Sequence, residues 1–145
     1  MSVSTHRQPS DLAPVALKAL RVLVAEDQAI IALDLEARVR ELGHEAVSIV
    51  HTGQAAVEAA ARCRPDFVLI NVVLGDGAVG VEAAVLIREQ FGIPSIFLTA
   101  HTNSEVTEHI AKAEPIDVLV KPIFDPALQL ALLRTSMMLT AAGCK

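Results

Sequence analysis

Five short apolar segments, separated by amphipathic stretches, dominate the pattern of the chain. They are rich in Val, Ile and Leu, and their apolar residues follow one another without a regular polar alternation. Such runs are typical of strands that are buried on both faces of a parallel sheet. The predicted strands are 21–25, 46–50, 67–70, 95–99 and 117–120.

The stretches between these strands carry apolar residues at helical spacing. The first of them places its large apolar residues on one helical face, at Ile31, Leu35, Val39 and Leu42. Gly43 follows and is suited to end this helix. The other predicted helices are 54–63, 81–91, 104–113 and 126–139. Strict alternation of strand and helix predicts an α/β fold, a doubly wound parallel sheet of five strands with five flanking helices.

The length of the chain fits one domain. It has 145 residues, and domains most often run to about 100–150 residues. Apolar residues make up 52% of the sequence, which is enough for a sizeable core and excludes disorder of the whole chain. We expect a flexible extension over 1–18, the domain over 19–141 and a short tail over 142–145.

Charge and composition narrow the functional classes. The net charge is −5 and the sequence has no basic run, which argues against binding to nucleic acid or anionic lipid. No apolar run approaches the ~18 residues that span a bilayer, and the polar start lacks a secretory signal. Cys63 and Cys144 form no C-x-x-C motif, as is typical of a reducing compartment. We expect a cytoplasmic protein without nucleic-acid or membrane partners.

Polar residues follow four of the predicted strands. Glu26 and Asp27 come after the first strand, Asn71 after the third, Thr99 ends the fourth and Lys121 follows the fifth. Right-handed crossovers bring the carboxyl ends of parallel strands to one edge of the sheet, and in open sheets that edge holds the functional crevice. We therefore expect these side chains to share one site.

The residue types at this edge favour phosphoryl chemistry. Two adjacent carboxylates, Glu26 and Asp27, are costly unless a cation neutralises them, and Mg²⁺ prefers such oxygen ligands. The Thr99 hydroxyl and the Lys121 ammonium both suit anionic oxygens. A simpler interpretation of the acidic pair is a helix start with Asp27 as the N-cap residue. The five histidines are scattered without metal-ligand spacing and are interpreted as surface or loop residues.

A glycine-rich segment follows the third strand. Gly75, Gly77 and Gly80 have the spacing of a dinucleotide-binding fingerprint. They follow the third strand rather than the first, and no suitable acid lies about 20 residues further on. We interpret the segment as a turn, with Asp76 as a turn residue.

Four short segments, taken in order, resemble the receiver domain of response regulators in bacterial two-component signalling. The resemblance covers roughly residues 19–140 and is carried by Val22–Asp27, Pro65–Asn71, Phe97–Ala100 and Val120–Pro122. It implies a flavodoxin-like, CheY-like sheet with strand order 2-1-3-4-5. It also implies a signalling domain and not an enzyme, with a sensor histidine kinase or a phosphotransfer protein as partner.

The resemblance assigns roles to the matching residues. Glu26 and Asp27 would hold Mg²⁺, with the backbone carbonyl of Val73 and the side chain at position 71 as further ligands. Thr99 would be the hydroxyl that moves toward the phosphoryl group. Lys121 would bind a phosphoryl oxygen, and its bond to the proline that follows would be cis.

One departure from the family decides the chemistry. Asn71 stands where receivers have the aspartate that accepts the phosphoryl group. An amide is not a useful nucleophile, and it removes one of three negative charges that attract Mg²⁺. We therefore predict a phosphorylation-deficient chain with weakened Mg²⁺ binding. Two explanations stay open: a changed residue that locks a normal receiver off, or a natural pseudo-receiver that serves as a phosphorylation-independent interaction or dimerisation scaffold.

Two further features concern the way in which the domain would pass its signal to other proteins. Val118 occupies the position where receivers commonly carry a Tyr or Phe that reports the phosphorylated state. The last helix is apolar over a wide arc, which favours a covering partner. We expect a stand-alone receiver that forms a homodimer through the helix 4, strand 5 and helix 5 face, or that docks a kinase there. The alternative is that the last helix packs against 15–20.

Overall fold

The computed structural model describes residues 19–74 and 80–143. Its strands are β1 (Arg21–Ala25), β2 (Glu45–Val50), β3 (Phe67–Asn71), β4 (Ser95–Thr99) and β5 (Asp117–Val120). Its helices are α1 (Ala29–Glu41), α2 (Gly53–Cys63), α3 (Gly80–Phe91), α4 (Ser104–Ala111) and α5 (Asp125–Gly143). The predicted N-terminal extension and the predicted turn at Gly75–Gly77 lie outside the described residues.

The five strands form one parallel sheet in the order β2-β1-β3-β4-β5. This confirms the predicted topology. The pairing register also brings the strand ends level, because Ala25 pairs with Ile70, Asn71 with Leu98, and Thr99 with Val120. The residues that follow β1, β3, β4 and β5 therefore meet along one edge.

Each face of the sheet has its own core. On one face, strand residues pack with α1 and α5 in a cluster that includes Val24, Leu69, Leu98, Leu35, Leu128 and Leu132. On the other face the packing partners are α2, α3 and α4, in a cluster that includes Leu23, Ile70, Phe97, Ala60, Ile87 and Ile110. Burial on both faces explains why the strand sequences are apolar at successive positions.

The residue at which α1 begins overturns the interpretation of the acidic pair as a simple helix start. Asp27 is not the N-cap residue, because α1 begins at Ala29 and its N-cap position is Gln28, whose side chain makes no capping hydrogen bond. The acidic residues before α1 are therefore not explained by helix capping. By contrast, α2 has an ordinary cap, since the side chain of Thr52 accepts a hydrogen bond from the backbone of Ala55.

Gly80 allows α3 to start directly against the end of β3. Its N–H donates to the carbonyl of Val72 at 3.2 Å. A Cβ atom at this position would overlap the carbonyl oxygen of Asn71 and lie 2.6 Å from that of Val72. Only glycine fits this approach without moving the backbone.

Within 19–74 and 80–143, no helix combines the length and the apolar character that crossing a bilayer requires.

Candidate functional site

The four strand ends surround a cleft of about 250 Å³. Its lining includes Asp27 from the segment after β1, Asn71 of β3, Thr99 of β4 and Lys121, which directly follows β5. The structure thus brings together four residues that the sequence placed at this edge. Val73, from the segment after β3, also lines the cleft.

Glu26 lies beneath this cleft and is fully buried. One carboxylate oxygen, Oε1, accepts a hydrogen bond from Lys121 Nζ at 3.0 Å, and the other accepts from the N–H of Gln28 at 3.0 Å. A buried carboxylate is tolerated only when it is paired and hydrogen-bonded in this way. Glu26 and Lys121 therefore form an internal ion pair that joins the ends of β1 and β5.

Asn71 is nearly buried, with 8% of its surface exposed. Its side-chain nitrogen donates to the backbone carbonyl of Val73 at 2.9 Å and lies 3.5 Å from Asp27 Oδ1. Both of these atoms only accept hydrogen bonds, so the nitrogen and not the oxygen of the amide faces them. The amide nitrogen thus lies between two atoms that the resemblance names as metal ligands.

Thr99 is also buried, and its hydroxyl bonds to the loop that follows it. It donates to the carbonyl of His101 at 2.9 Å and accepts from the N–H of His101 at 3.1 Å. These bonds fold the chain tightly at the end of β4. In this arrangement the Thr99 hydroxyl stabilises the loop that directly follows β4.

Two histidines make contacts that the sequence did not indicate. The Nδ1–H of His51 donates to the carbonyl of Glu26 at 2.8 Å, which ties the end of β2 to the acidic pair. His44 Nδ1 accepts from the N–H of Leu20 at 2.9 Å, and burial lowers the pKa of His44. The only sequence signal for His51 is that it directly follows the strand beside β1.

The arrangement of these donors does not fit a bound Mg²⁺. Both oxygens of Glu26 are engaged, and the Val73 carbonyl accepts the Asn71 amide. Asp27 is left as the only carboxylate of the acidic pair that is open to the cleft. Within the described ranges, no group of three or more His, Cys, Asp or Glu side chains is placed to hold a metal ion.

A second cleft adjoins the first, on the other side of Thr99. It measures about 330 Å³ and its lining includes Thr99, His101, Ile110 and Val118. Val118 is 37% exposed. A valine has no ring to rotate into this space, as a Tyr or Phe at the same position could.

Helix α5 has two distinct faces. Leu128, Ala131 and Leu132 are buried in the core, whereas the opposite face exposes large apolar residues: Leu130, Leu133, Met137 and Met138. Arg134 of α5 pairs with Asp117 of β5 at 3.2 Å. The buried and exposed faces together account for the wide apolar arc in the sequence of this helix.

A protein-family model for the response regulator receiver domain matches residues 22–133. Domains of this family are signalling modules that generally partner with histidine kinases and typically bind Mg²⁺. The matched range contains β2 to β5, all of β1 except its first residue, and Glu26, Asp27, Asn71, Thr99 and Lys121.

Two bacterial regulators are similar to this chain in sequence. The chain is 36% identical over 110 residues to the phyllosphere-induced regulator PhyR of Methylorubrum extorquens, covering 75% of this chain and 40% of that protein. It is 39% identical over 118 residues to the transcriptional regulatory protein PdtaR of Mycobacterium tuberculosis, covering 79% of this chain and 57% of that protein. The chain thus spans about half the length of these relatives.

Solved structures agree with this relationship. The response regulator PhyR from Brucella abortus superposes with a TM-score of 0.72 at 31% identity, over 88% of this chain and 51% of that one. The signal receiver domain of a modulated diguanylate cyclase from Desulfovibrio desulfuricans gives a TM-score of 0.77 at 26% identity, over 87% and 99%. The sheet topology, the range matched by the family model and these relatives lead to one conclusion. This chain belongs to the response regulator receiver family of two-component signalling.

Proposed function

We propose that this chain is a phosphorylation-deficient receiver that acts in a two-component pathway through contacts with other proteins. The observation that carries the proposal is the place of Asn71. It lies at the end of the central strand and lines the same cleft as Asp27, Thr99 and Lys121. This is where the phosphoryl-accepting aspartate of a receiver would stand.

The chemistry of an amide explains the deficiency. A carboxylate oxygen attacks the phosphorus of a donor such as acetyl phosphate, a new P–O bond forms, and acetate leaves with the electron pair of the broken bond. The amide of Asn71 has no such nucleophilic oxygen, and its nitrogen donates its hydrogens to Val73 and Asp27. Lys121, the cation suited to a phosphoryl oxygen, is paired with Glu26.

The test compares the native chain with Asn71→Asp and Asn71→Ala. Each is incubated with acetyl phosphate and Mg²⁺, and its intact mass is measured. We expect only Asn71→Asp to gain one phosphoryl group, since it alone restores a carboxylate. Addition to the native chain would overturn the proposal. If none of the proteins reacts, the site is inert for more reasons than Asn71.

The proposed partners are a sensor histidine kinase or a phosphotransfer protein, together with a second copy of this chain. The surface proposed for the homodimer is formed by α4, β5 and α5. Its exposed apolar residues include Val118, Leu130 and Met137. Covering them in a dimer would remove apolar surface from water, which favours association.

The homodimer is tested with Met137→Glu in sedimentation equilibrium. We expect this variant to be monomeric at concentrations where the native chain is dimeric. Leu86→Glu is the matched control, because Leu86 is also a partly exposed apolar residue but lies on α3. A native chain that is monomeric at all concentrations, or a Met137→Glu variant that still dimerises, would contradict this part of the proposal.

A second candidate is a natural pseudo-receiver that serves as a phosphorylation-independent scaffold. It is favoured by the way the polar groups of the site satisfy one another: Glu26 with Lys121, and Asn71 with Val73. The mass experiment separates the two candidates. An unreactive Asn71→Asp variant would favour the scaffold.

A further inference from the structure

We infer that the side-chain amide of Asn71 replaces the cation in this site, so that the site stays assembled without metal. The inference rests on the proposed function only in taking this edge of the sheet as the receiver's site. It goes further in giving Asn71 a positive role. Asn71 is then a positioning residue that holds the segment after β3, and not merely a missing nucleophile.

The first argument is the position of the amide nitrogen. It donates to the Val73 carbonyl at 2.9 Å and lies 3.5 Å from Asp27 Oδ1. A cation in a receiver site would attract the same two oxygen atoms. An NH₂ group carries two donor hydrogens, so it can satisfy both oxygens in a place where only 8% of the Asn71 surface reaches water.

The second argument is the way in which the segment after β3 is held. The carbonyl of Val72 accepts from the N–H of Gly80, and the side chain of Leu74 is buried in the core. Val73, between these two anchors, is half exposed and turns its carbonyl toward Asn71. The amide therefore supplies the contact that fixes the middle of this segment.

The third argument is the charge that an aspartate would introduce. With Asp at position 71, an oxygen atom would face the Val73 carbonyl and Asp27 Oδ1, and no donor would lie between them. The described site holds two carboxylates and one ammonium, from Glu26, Asp27 and Lys121, so a further carboxylate would raise its formal charge from −1 to −2. Like charges at this distance destabilise each other unless a cation intervenes.

These arguments give opposite expectations for the native chain and for Asn71→Asp. The native site has its donor built in, so added Mg²⁺ should leave its stability unchanged. The Asn71→Asp site lacks that donor, so its stability should depend on Mg²⁺. Asn71→Ala removes the amide without adding charge, so it should be less stable than the native chain whether or not Mg²⁺ is present.

The experiment is urea unfolding of the full chain in EDTA and in excess MgCl₂, at matched ionic strength. We expect the same midpoint in both buffers for the native chain. For Asn71→Asp we expect a lower midpoint than native in EDTA and a clear rise with Mg²⁺. For Asn71→Ala we expect a lower midpoint in both buffers. If Asn71→Asp folds only with Mg²⁺, that result agrees with the expectation.

Three results would overturn the inference. The first is a native midpoint that rises with Mg²⁺ as much as that of Asn71→Asp. The second is an Asn71→Ala variant as stable as the native chain, and the third is an Asn71→Asp variant as stable as native in EDTA. If Asn71→Asp does not fold in either buffer, the native chain and Asn71→Ala still decide the matter. The unfolding experiment contains no phosphoryl donor, so its outcome does not depend on phosphorylation. The inference can therefore hold when the mass experiment contradicts the proposed function, and it can fail when the mass experiment supports that function.

Discussion

The ion pair between Glu26 and Lys121 offers a quantitative test of how the site is built. The Lys121→Met substitution keeps most of the side-chain volume but removes the ammonium that lies 3.0 Å from Glu26 Oε1. Glu26 would then be a fully buried carboxylate without a cationic partner. Breaking a buried pair in this way costs about 3–5 kcal/mol.

The structure places the expected cost near the lower end of that range. The other oxygen of Glu26 keeps its hydrogen bond from Gln28 N–H, and the Lys121 side chain is 21% exposed, so water can reach the vacated position. We therefore expect a loss of about 3 kcal/mol. Since domains are stable by only about 5–15 kcal/mol, such a loss is readily measured.

The assay is urea unfolding with a double-mutant cycle. We expect Glu26→Gln combined with Lys121→Met to be more stable than Lys121→Met alone, because the double variant leaves no buried charge. Lys112→Met is the matched control, since Lys112 is exposed at the end of α4. A Lys121→Met loss below about 1 kcal/mol, as for a surface pair, would refute the reasoning.

Two further predictions concern the frame around the site. Gly80→Ala should lower the free energy of unfolding by about 3 kcal/mol or more, because the added Cβ meets backbone atoms of Asn71 and Val72; a thermal melt within error of the native chain would contradict the close approach. His44 should make stability pH-dependent. Burial lowers its pKa, so the unfolded chain binds a proton at a higher pH than the fold, and stability should fall as the pH drops below about 6.5. The free energy of unfolding measured across this range should change less with pH in His44→Gln, and an unchanged slope would contradict burial of His44 as the cause.

The sheet and the location of the site could be predicted because both follow from local patterns. The apolar runs at the strands reflect burial on both faces, and parallel strands necessarily bring their carboxyl ends together. The sequence alone therefore assigns five polar residues to one edge: Glu26, Asp27, Asn71, Thr99 and Lys121. The wide apolar arc of α5 is likewise visible in the sequence alone.

The pairing of these residues could not be predicted, because it depends on side-chain geometry. Glu26 and Asp27 are adjacent and chemically alike, yet Glu26 points into the protein against Lys121 while Asp27 lines the cleft. The alternative interpretation of Asp27 as the N-cap residue is wrong for a related reason, since it did not include the hydrogen bond from the N–H of Gln28, the actual N-cap residue, to Glu26.

The histidines show the same limit. Spacing along the chain gave the histidines no metal-ligand pattern and led to their interpretation as surface or loop residues. It could not reveal that His51 ties β2 to the carbonyl of Glu26, or that His44 accepts a hydrogen bond from Leu20. Both are contacts between neighbouring strands or loops that only the folded arrangement creates.

The central claim, a receiver site closed to phosphoryl groups by Asn71, is tested most directly with beryllofluoride, a tetrahedral mimic of a phosphoryl group that attaches to carboxylate oxygen. Backbone amide spectra of the isotope-labelled native chain and of Asn71→Asp would be recorded with Mg²⁺, before and after the mimic is added. We expect the signals of Thr99 and Lys121 to shift in Asn71→Asp and to stay in place in the native chain. Shifts of the same size at these residues in the native chain would contradict the account.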